Sequence, residues 1–309
     1  MAVDSVEVGR STMAALGEDA AVTAAHRAAM LSARPDLEGV PLTLHANGWD
    51  CLAIAAGRVL FKFPHHRNAA DRLRREPRTI DLIRPVTPLA LPTMRLHEAP
   101  MLMSEHEMVV GDPVDPERYR AMATPERDRL AQDLAAFFAA VHSIPPEEAR
   151  RRDCDAVRPW APTAQLLKRL EGGVPPDVIR VAETVLAKYE AHNANGGDEL
   201  VFGQFDTHGW NMAYDNAAGR LHGLFDFAGS GVGALHRDLS YLMFVSPDLT
   251  RRVVERYRRE TGRAVNLERV FDAHGALRVI ELADEMGGGR PLDQFVSALL
   301  RFAQERPRF

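Results

Sequence analysis

The stretch Val201-Phe-Gly-Gln-Phe-Asp-Thr-His-Gly-Trp-Asn-Met-Ala-Tyr214 carries a carboxylate, Asp206, and five positions later an amide, Asn211. A second acidic residue, Asp226, follows in Gly223-Leu-Phe-Asp-Phe-Ala-Gly229. Between the two lies the turn-rich run Asp215-Asn-Ala-Ala-Gly219, flanked by the short apolar segments Met212–Tyr214 and Leu221–Phe225. The order predicted is loop, strand, turn, strand: a small hairpin with polar groups at both outer ends.

Phosphoryl transfer uses such an arrangement. One carboxylate accepts the proton of the attacking hydroxyl, while an Asn and a second carboxylate hold the magnesium ions that bridge nucleotide phosphates. The kinase pattern spaces base and Asn as Asp-x-x-x-x-Asn and places the metal Asp beyond a hairpin. Asp206, Asn211 and Asp226 meet it in order and spacing. Asp206 and Asn211 could also do no more than cap a turn, with Asp226 ending a strand. The apolar-Asp-Phe-x-Gly segment and matching pieces elsewhere weigh against that.

Gln204-Phe-Asp-Thr-His-Gly-Trp-Asn211 resembles the His-Gly-Asp-x-x-x-x-Asn motif of the aminoglycoside phosphotransferase-like small-molecule kinases, which include the choline kinase type. Leu224-Phe-Asp-Phe-Ala-Gly-Ser-Gly-Val-Gly233 is similar to their metal-binding segment, and His236-Arg-Asp-Leu-Ser240 to the stretch after it. The chain departs from the motif at two positions: the family's His is Gln204 and its Gly is Phe205. A Gln side chain still donates and accepts hydrogen bonds, so the loop is expected to be held differently rather than lost.

A chain of 309 residues is long for one simple core and suggests two domains. Apolar content of 46% and charged content of 26% are ordinary for a globular protein, and a net charge of -5 argues against a nucleic-acid partner. Cys51 and Cys154 form neither a disulfide framework nor a metal spacing. No apolar run reaches membrane length, and the first residues lack the basic start and apolar core of a secretory signal. The expected location is cytoplasmic, with no membrane partner.

Helical patterns cover Ser11–Leu16 and Asp19–Ser32, with Ala28, Met30 and Leu31 expected inward. Three strands follow, Val40–His45, Cys51–Ala55 and Arg58–Phe63, predicting an antiparallel sheet. Leu44-His-Ala-Asn-Gly-Trp-Asp-Cys51 resembles the family's phosphate-covering loop, which implies a nucleotide-binding role for Asn47 and Gly48; Asn-Gly is also simply a hairpin turn. Lys62 is one of only three lysines and lies in the apolar strand Val59-Leu-Phe-Lys-Phe63. It is either a solvent-facing strand residue or a compact charge for nucleotide phosphates. In the second reading its carboxylate partner is Glu76, on the helical segment Asn68–Ile83, where Pro77 predicts a kink or restart. Leu91–Leu96 and Pro100–Ser104 read as two more strands. Met101-Leu-Met-Ser-Glu-His106 resembles the hinge whose backbone holds the nucleotide base, with Ser104 and His106 at the matching positions.

Helical patterns then dominate, at Arg127–Ser143, Thr163–Leu170, Pro176–Asn193, Leu249–Thr261, Leu267–Leu282 and Leu292–Glu305, with Pro145–Pro162 as a polar connector. Leu130, Leu134, Phe137, Phe138 and Val141 are expected core residues, and His142 a structural one. Glu281, Asp284 and Glu285 mark either a solvated helix end or part of an acceptor pocket.

The resemblance covers roughly residues 25 to 245 and implies an α+β, two-lobed protein-kinase-like fold. A small N-lobe with an antiparallel sheet is expected over residues 1–105 and a larger, mainly helical C-lobe over 106–309. It implies transfer of the γ-phosphate of ATP or GTP, with Mg²⁺, to a hydroxyl of a small molecule, an aminoglycoside-type antibiotic among the candidates and antibiotic resistance the corresponding role. Asp206 is the expected base, with His208 as its competitor, and Asn211 and Asp226 the metal ligands. The alternatives are a nucleotide-binding protein with little catalysis, or a kinase for a macrolide, choline, amino acid or sugar. A monomer or dimer is expected.

Overall fold

The computed structural model describes residues 22–45, 50–155, 157–194, 198–287 and 290–306. The chain separates into two compact units: the described part of Met1–Leu73 with Met94–Met108, and Arg74–Thr93 with Val109–Phe309.

The first unit begins with α1 (Ala24–Ala33), capped by Thr23, whose hydroxyl accepts the His26 N–H while the His26 ring accepts the Thr23 N–H. Strands β1 (Leu42–His45), β2 (Cys51–Ala56), β3 (Val59–Pro64), β4 (Met94–His97) and β5 (Met103–Glu107) form one antiparallel sheet in the order β1-β2-β3-β5-β4. Ala29 and Met30 of α1 join Ile54, Phe61, Phe63 and Met103 in its core. Ala28 and Leu31, expected inward, are exposed. The buried face of α1 runs through His26, Ala29, Met30 and Ala33, the same periodicity shifted by one position. Helix α2 (Arg67–Ile83) is a single helix that contains Pro77, so the expected restart does not occur. The expected helix Ser11–Leu16 lies outside the described residues.

In the second unit α3 (Pro116–Ala121) and α4 (Thr124–His142) precede α5 (Pro146–Arg151), α6 (Thr163–Leu170) and α7 (Pro176–Ala194). Leu130, Leu134, Phe137, Phe138 and Val141 are buried as their helical spacing predicts. The segment read as a plain connector contains α5, begun by Pro146 with Glu147 and Glu148 in its first turn and ended by Arg150 and Arg151, a favourable order along the helix dipole. Next come β6 (Leu200–Gly203), β7 (Met212–Asp215), β8 (Arg220–Leu224), β9 (Gly231–Ala234) and α8 (Leu235–Leu239). β7 and β8 form the expected hairpin, and β6 pairs with β9 in a second two-stranded sheet. Helices α9 (Pro247–Thr261), α10 (Leu267–Glu285) and α11 (Leu292–Glu305) complete the chain. α9 packs on α4, and α7 and α11 pack on α10 around Leu186, Val279, Leu282 and Leu299. Residues 74–93 belong with this unit through Glu76, which accepts the Phe227 N–H, and Ala90, whose backbone bonds His222 and Leu224. Among the described residues no helix is long and apolar enough to cross a membrane.

Candidate active site

The loop 204–211 leaves the end of β6, and the segment 225–230 leads into β9, so one small sheet fixes the start of the loop and the end of the segment. Gln204 has no exposed surface. Its Nε2 donates to the carbonyls of Phe225 at 3.0 Å and Asp226 at 3.3 Å, while its Oε1 accepts from the Thr207 hydroxyl at 2.7 Å. The Gln that replaces the motif's His thus ties the loop to the acidic segment by side-chain bonds to both.

Phe205 and Asp226 are two non-glycine residues with left-handed backbones, φ 57° and 61°. Each costs on the order of 1–2 kcal/mol, which surrounding contacts must offset. The Phe205 N–H donates to Asp238 Oδ1, and its ring lies so close to Gly233 that a Cβ there would come within 2.6 Å. Arg237 sits over the ring, 5.5 Å from its centroid. Asp238, with no exposed surface, also accepts from His142 Nε2 at 2.9 Å. The Tyr257 hydroxyl donates to His142 Nδ1 at 2.9 Å and accepts from Arg263 at 3.0 Å. A line of bonds, buried from Tyr257 onward, therefore runs from Arg263 through Tyr257, His142 and Asp238 to the loop backbone. Sequence reading gave Asp238 no task, because its partners lie 33 and 96 residues away along the chain.

Asn211 and Asp206 meet directly: Asn211 Nδ2 donates to Asp206 Oδ2 and to the Asp206 carbonyl, each at 2.9 Å. This orientation leaves the Asn211 Oδ1 as the oxygen turned away from Asp206. The Asn211 carbonyl accepts the Phe225 N–H at 3.1 Å, bringing the acidic segment against the loop. A Cβ on Gly229 would stand 3.8 Å from that of Asp206. His208 Nε2 lies 3.4 Å from Asp206 Oδ1. Burial pushes the His208 pKa down to about 4, against the upward pull of Asp226, so the ring is neutral near pH 7 and this contact is not an ion pair.

The other expected residues fall as follows. Glu76 on α2 is 1% exposed and bonds the backbone one residue past Asp226, its Oε1 accepting the Phe227 N–H at 2.9 Å. Lys62, in the smaller unit, is not the solvent-facing residue allowed by the strand pattern; it is 8% exposed, opposite Ala53 and Ser104 in the sheet. Ser104 and His106 are buried within β5, opposite Lys62 and Leu60 on one side and Leu96 and Met94 on the other. Asn47 and Gly48 lie outside the described residues.

Beside Asp206 stands a wall that sequence reading missed. His208 packs edge-on to Trp210 and to Phe244, with ring centroids 6.0 Å apart in both cases. The Arg278 guanidinium lies 4.2 Å from the centre of the Phe244 ring. Trp210 is 54% exposed. An exposed Trp next to the motif was the one local signal available.

A sheet-bearing unit with a buried strand lysine, and a helical unit with a carboxylate–amide loop, hairpin and second carboxylate, fit the class of kinase-like phosphoryl transferases. The profile of the phosphotransferase enzyme family matches residues 45–276, well over half the chain. The chain belongs to the phosphotransferase enzyme family. No curated protein matches it. Among solved structures, it is similar to the GDP complex of an aminoglycoside 2′-phosphotransferase-IIIa, at 17% identity and TM-score 0.74, covering 91% of this chain and 97% of that one. It is similar to a macrolide 2′-phosphotransferase type I, at 17% identity and TM-score 0.65, covering 93% and 99%. It is also similar to the streptomycin–ATP–APH(2″)-IIa ternary complex, at 17% identity and TM-score 0.62, covering 91% and 97%. At this identity the likenesses show the fold, a two-lobed α+β protein-kinase-like one.

Proposed function

We propose that this phosphotransferase moves the γ-phosphate of ATP or GTP to a hydroxyl of a small molecule, with Asp206 as the base. The observation that carries the reading is the junction of Asp206, Asn211 and the Asp226 segment in one hydrogen-bonded cluster. Asn211 donates its amide N–H to Asp206 Oδ2, which fixes the orientation of the carboxylate. Phosphoryl transfer has a loose transition state, so the base contributes mainly by position. The similar structures include a GDP complex and an ATP complex, which supports either nucleotide.

Oxygen donors of the Asn211 amide and Asp226 carboxylate type suit Mg²⁺, and the orientation of the Asn211 amide leaves its Oδ1 for this use. Bound there, Mg²⁺ would neutralise charge developing on the phosphates. Lys62 is the phosphate-facing charge in this proposal, and Glu76 the carboxylate the sequence assigns to it; Glu76 also anchors the backbone beside Asp226. Asn47 and Gly48 are assigned to the phosphates by the sequence resemblance alone. The backbone at Ser104 and His106, in β5, is assigned the edge of the base in this proposal.

The test is product formation from labelled nucleotide and an acceptor panel. Asp206→Asn should leave nucleotide affinity nearly unchanged and cut turnover about a hundredfold or more. His208→Ala should keep most of the turnover, since burial resists proton uptake on that ring. The reverse ranking removes Asp206 from the role.

A further inference from the structure

The acidic residues of α10 that could serve a polycationic acceptor are all engaged by arginines. Glu281 accepts from Arg278 at 3.1 Å. Asp284 accepts from Arg158 at 3.0 Å and Arg169 at 2.9 Å. Glu285 accepts from Arg290 at 2.8 Å. An acceptor studded with ammonium groups needs unengaged carboxylates, because an ammonium group buried without one loses its hydration uncompensated. To bind here it would have to displace a guanidinium at each position.

The wall beside Asp206 offers the opposite chemistry. Trp210 is exposed at the end of the loop, and His208 and Phe244 continue its aromatic surface. Arg278 caps that surface. Its Nε donates to His274 at 3.1 Å and its Nη1 to Glu281, while Nη2 has no hydrogen-bond partner among the described residues. His274 makes a neutral partner: burial, with Arg278 beside it, pushes its pKa well down. The guanidinium is therefore held over the Phe244 ring, with one edge left to offer an incoming oxygen. A planar guanidinium held this way suits a carboxylate.

We propose that the acceptor is an anionic, ring-bearing alcohol: its hydroxyl at Asp206, its ring against Trp210 and Phe244, and its carboxylate-type oxygen on Arg278. This rests on the function proposed above for Asp206, and it names the substrate class of that same site.

The test is equilibrium binding by titration calorimetry with three probes: 3-phenyllactate as the anionic ring alcohol, 2-phenylethanol as its neutral analogue, and kanamycin as the polycation. Binding is read apart from turnover, so failure of phosphoryl transfer and failure of this acceptor class give different results. The expected order is 3-phenyllactate tightest and kanamycin weakest, with at least a tenfold preference for the anion over its neutral analogue. Trp210→Ala, at an exposed position that leaves the fold intact, should weaken both ring alcohols several-fold. The double variant Arg278→Met with Glu281→Gln removes both charges together, so neither is left buried alone, and should bring the anion preference close to one. Kanamycin binding most tightly, no preference for the anion, or a preference that survives the double variant overturns the proposal.

Discussion

Gln204 shows how one side chain can replace the residue a motif leads one to expect. Its amide carries both donor and acceptor, and the structure uses both, on the carbonyls of Phe225 and Asp226 and on the Thr207 hydroxyl. Gln204→Leu keeps the volume and removes every one of these bonds. Buried polar groups would then lack partners on two elements, at about 1–3 kcal/mol for each group left unsatisfied. The expected outcome is a urea midpoint lowered by the equivalent of about 3 kcal/mol with an unchanged m-value. Gln204→Asn shortens the same amide and should lose less. Equal midpoints for Gln204→Leu and the parent would show that the amide does not hold the loop. Asp206, Asn211 and Asp226 were legible in the sequence because they are packed into a short stretch with a fixed spacing. The bonds made by Gln204 were not, since an isolated Gln gives no indication of which carbonyls it will meet.

At the scale of elements, α4, α8 and α9 each lend one residue to the line that ends on the catalytic loop. His142 closes α4, Asp238 lies on α8, and Tyr257 on α9. Helical periodicity made α4 and α9 readable, and the same periodicity says nothing of a buried polar line between them. His142 could be seen as structural because it ends an apolar helix. Its partners, 96 and 115 residues further along the chain, could not. The line offers a graded test. Tyr257→Phe removes one hydroxyl shared by two neighbours and should cost about 1–2 kcal/mol. Asp238→Ala strips the partners from His142 and from the Phe205 N–H, and should cost roughly 3–5 kcal/mol, as removal of a buried charged partner does. Asp238→Asn retains an acceptor for one of the two and should fall between. Denaturant unfolding of the three variants checks the order. A further reading separates holding the loop from general stability: Asp238→Asn should lower kcat more than it raises KM for nucleotide, because the displaced group is Asp206, the base proposed above. An Asp238→Asn variant with normal kcat would leave Asp238 a core residue only.

Across the whole molecule, the sheet of the smaller unit and the helices of the larger were legible from alternation and from helical spacing. The grouping of residues 74–93 with the larger unit was not, because it depends on Glu76 and Ala90 meeting the segment around Asp226 and strand β8, far along the chain. The phase of α1 was also misjudged, since alanine on several faces leaves the inward stripe poorly marked. Lys62 carries the prediction that belongs to this scale. It is buried in β3, where a charge without a task would be costly. If it serves nucleotide phosphates, magnesium nucleotide should stabilise the folded protein by mass action, about 2.7 kcal/mol at a hundred times its dissociation constant. For a chain of this size that is a rise of several degrees in the melting temperature. Lys62→Ala should abolish most of the rise while the far-ultraviolet circular dichroism spectrum stays that of the parent. Asp226→Ala should remove the part of the rise that depends on magnesium. Scanning calorimetry with and without nucleotide reads both effects, and it does so without an acceptor, so the result is independent of the substrate class. A Lys62→Ala protein that still shows the full nucleotide-dependent rise would take Lys62 out of the nucleotide site, whatever its burial.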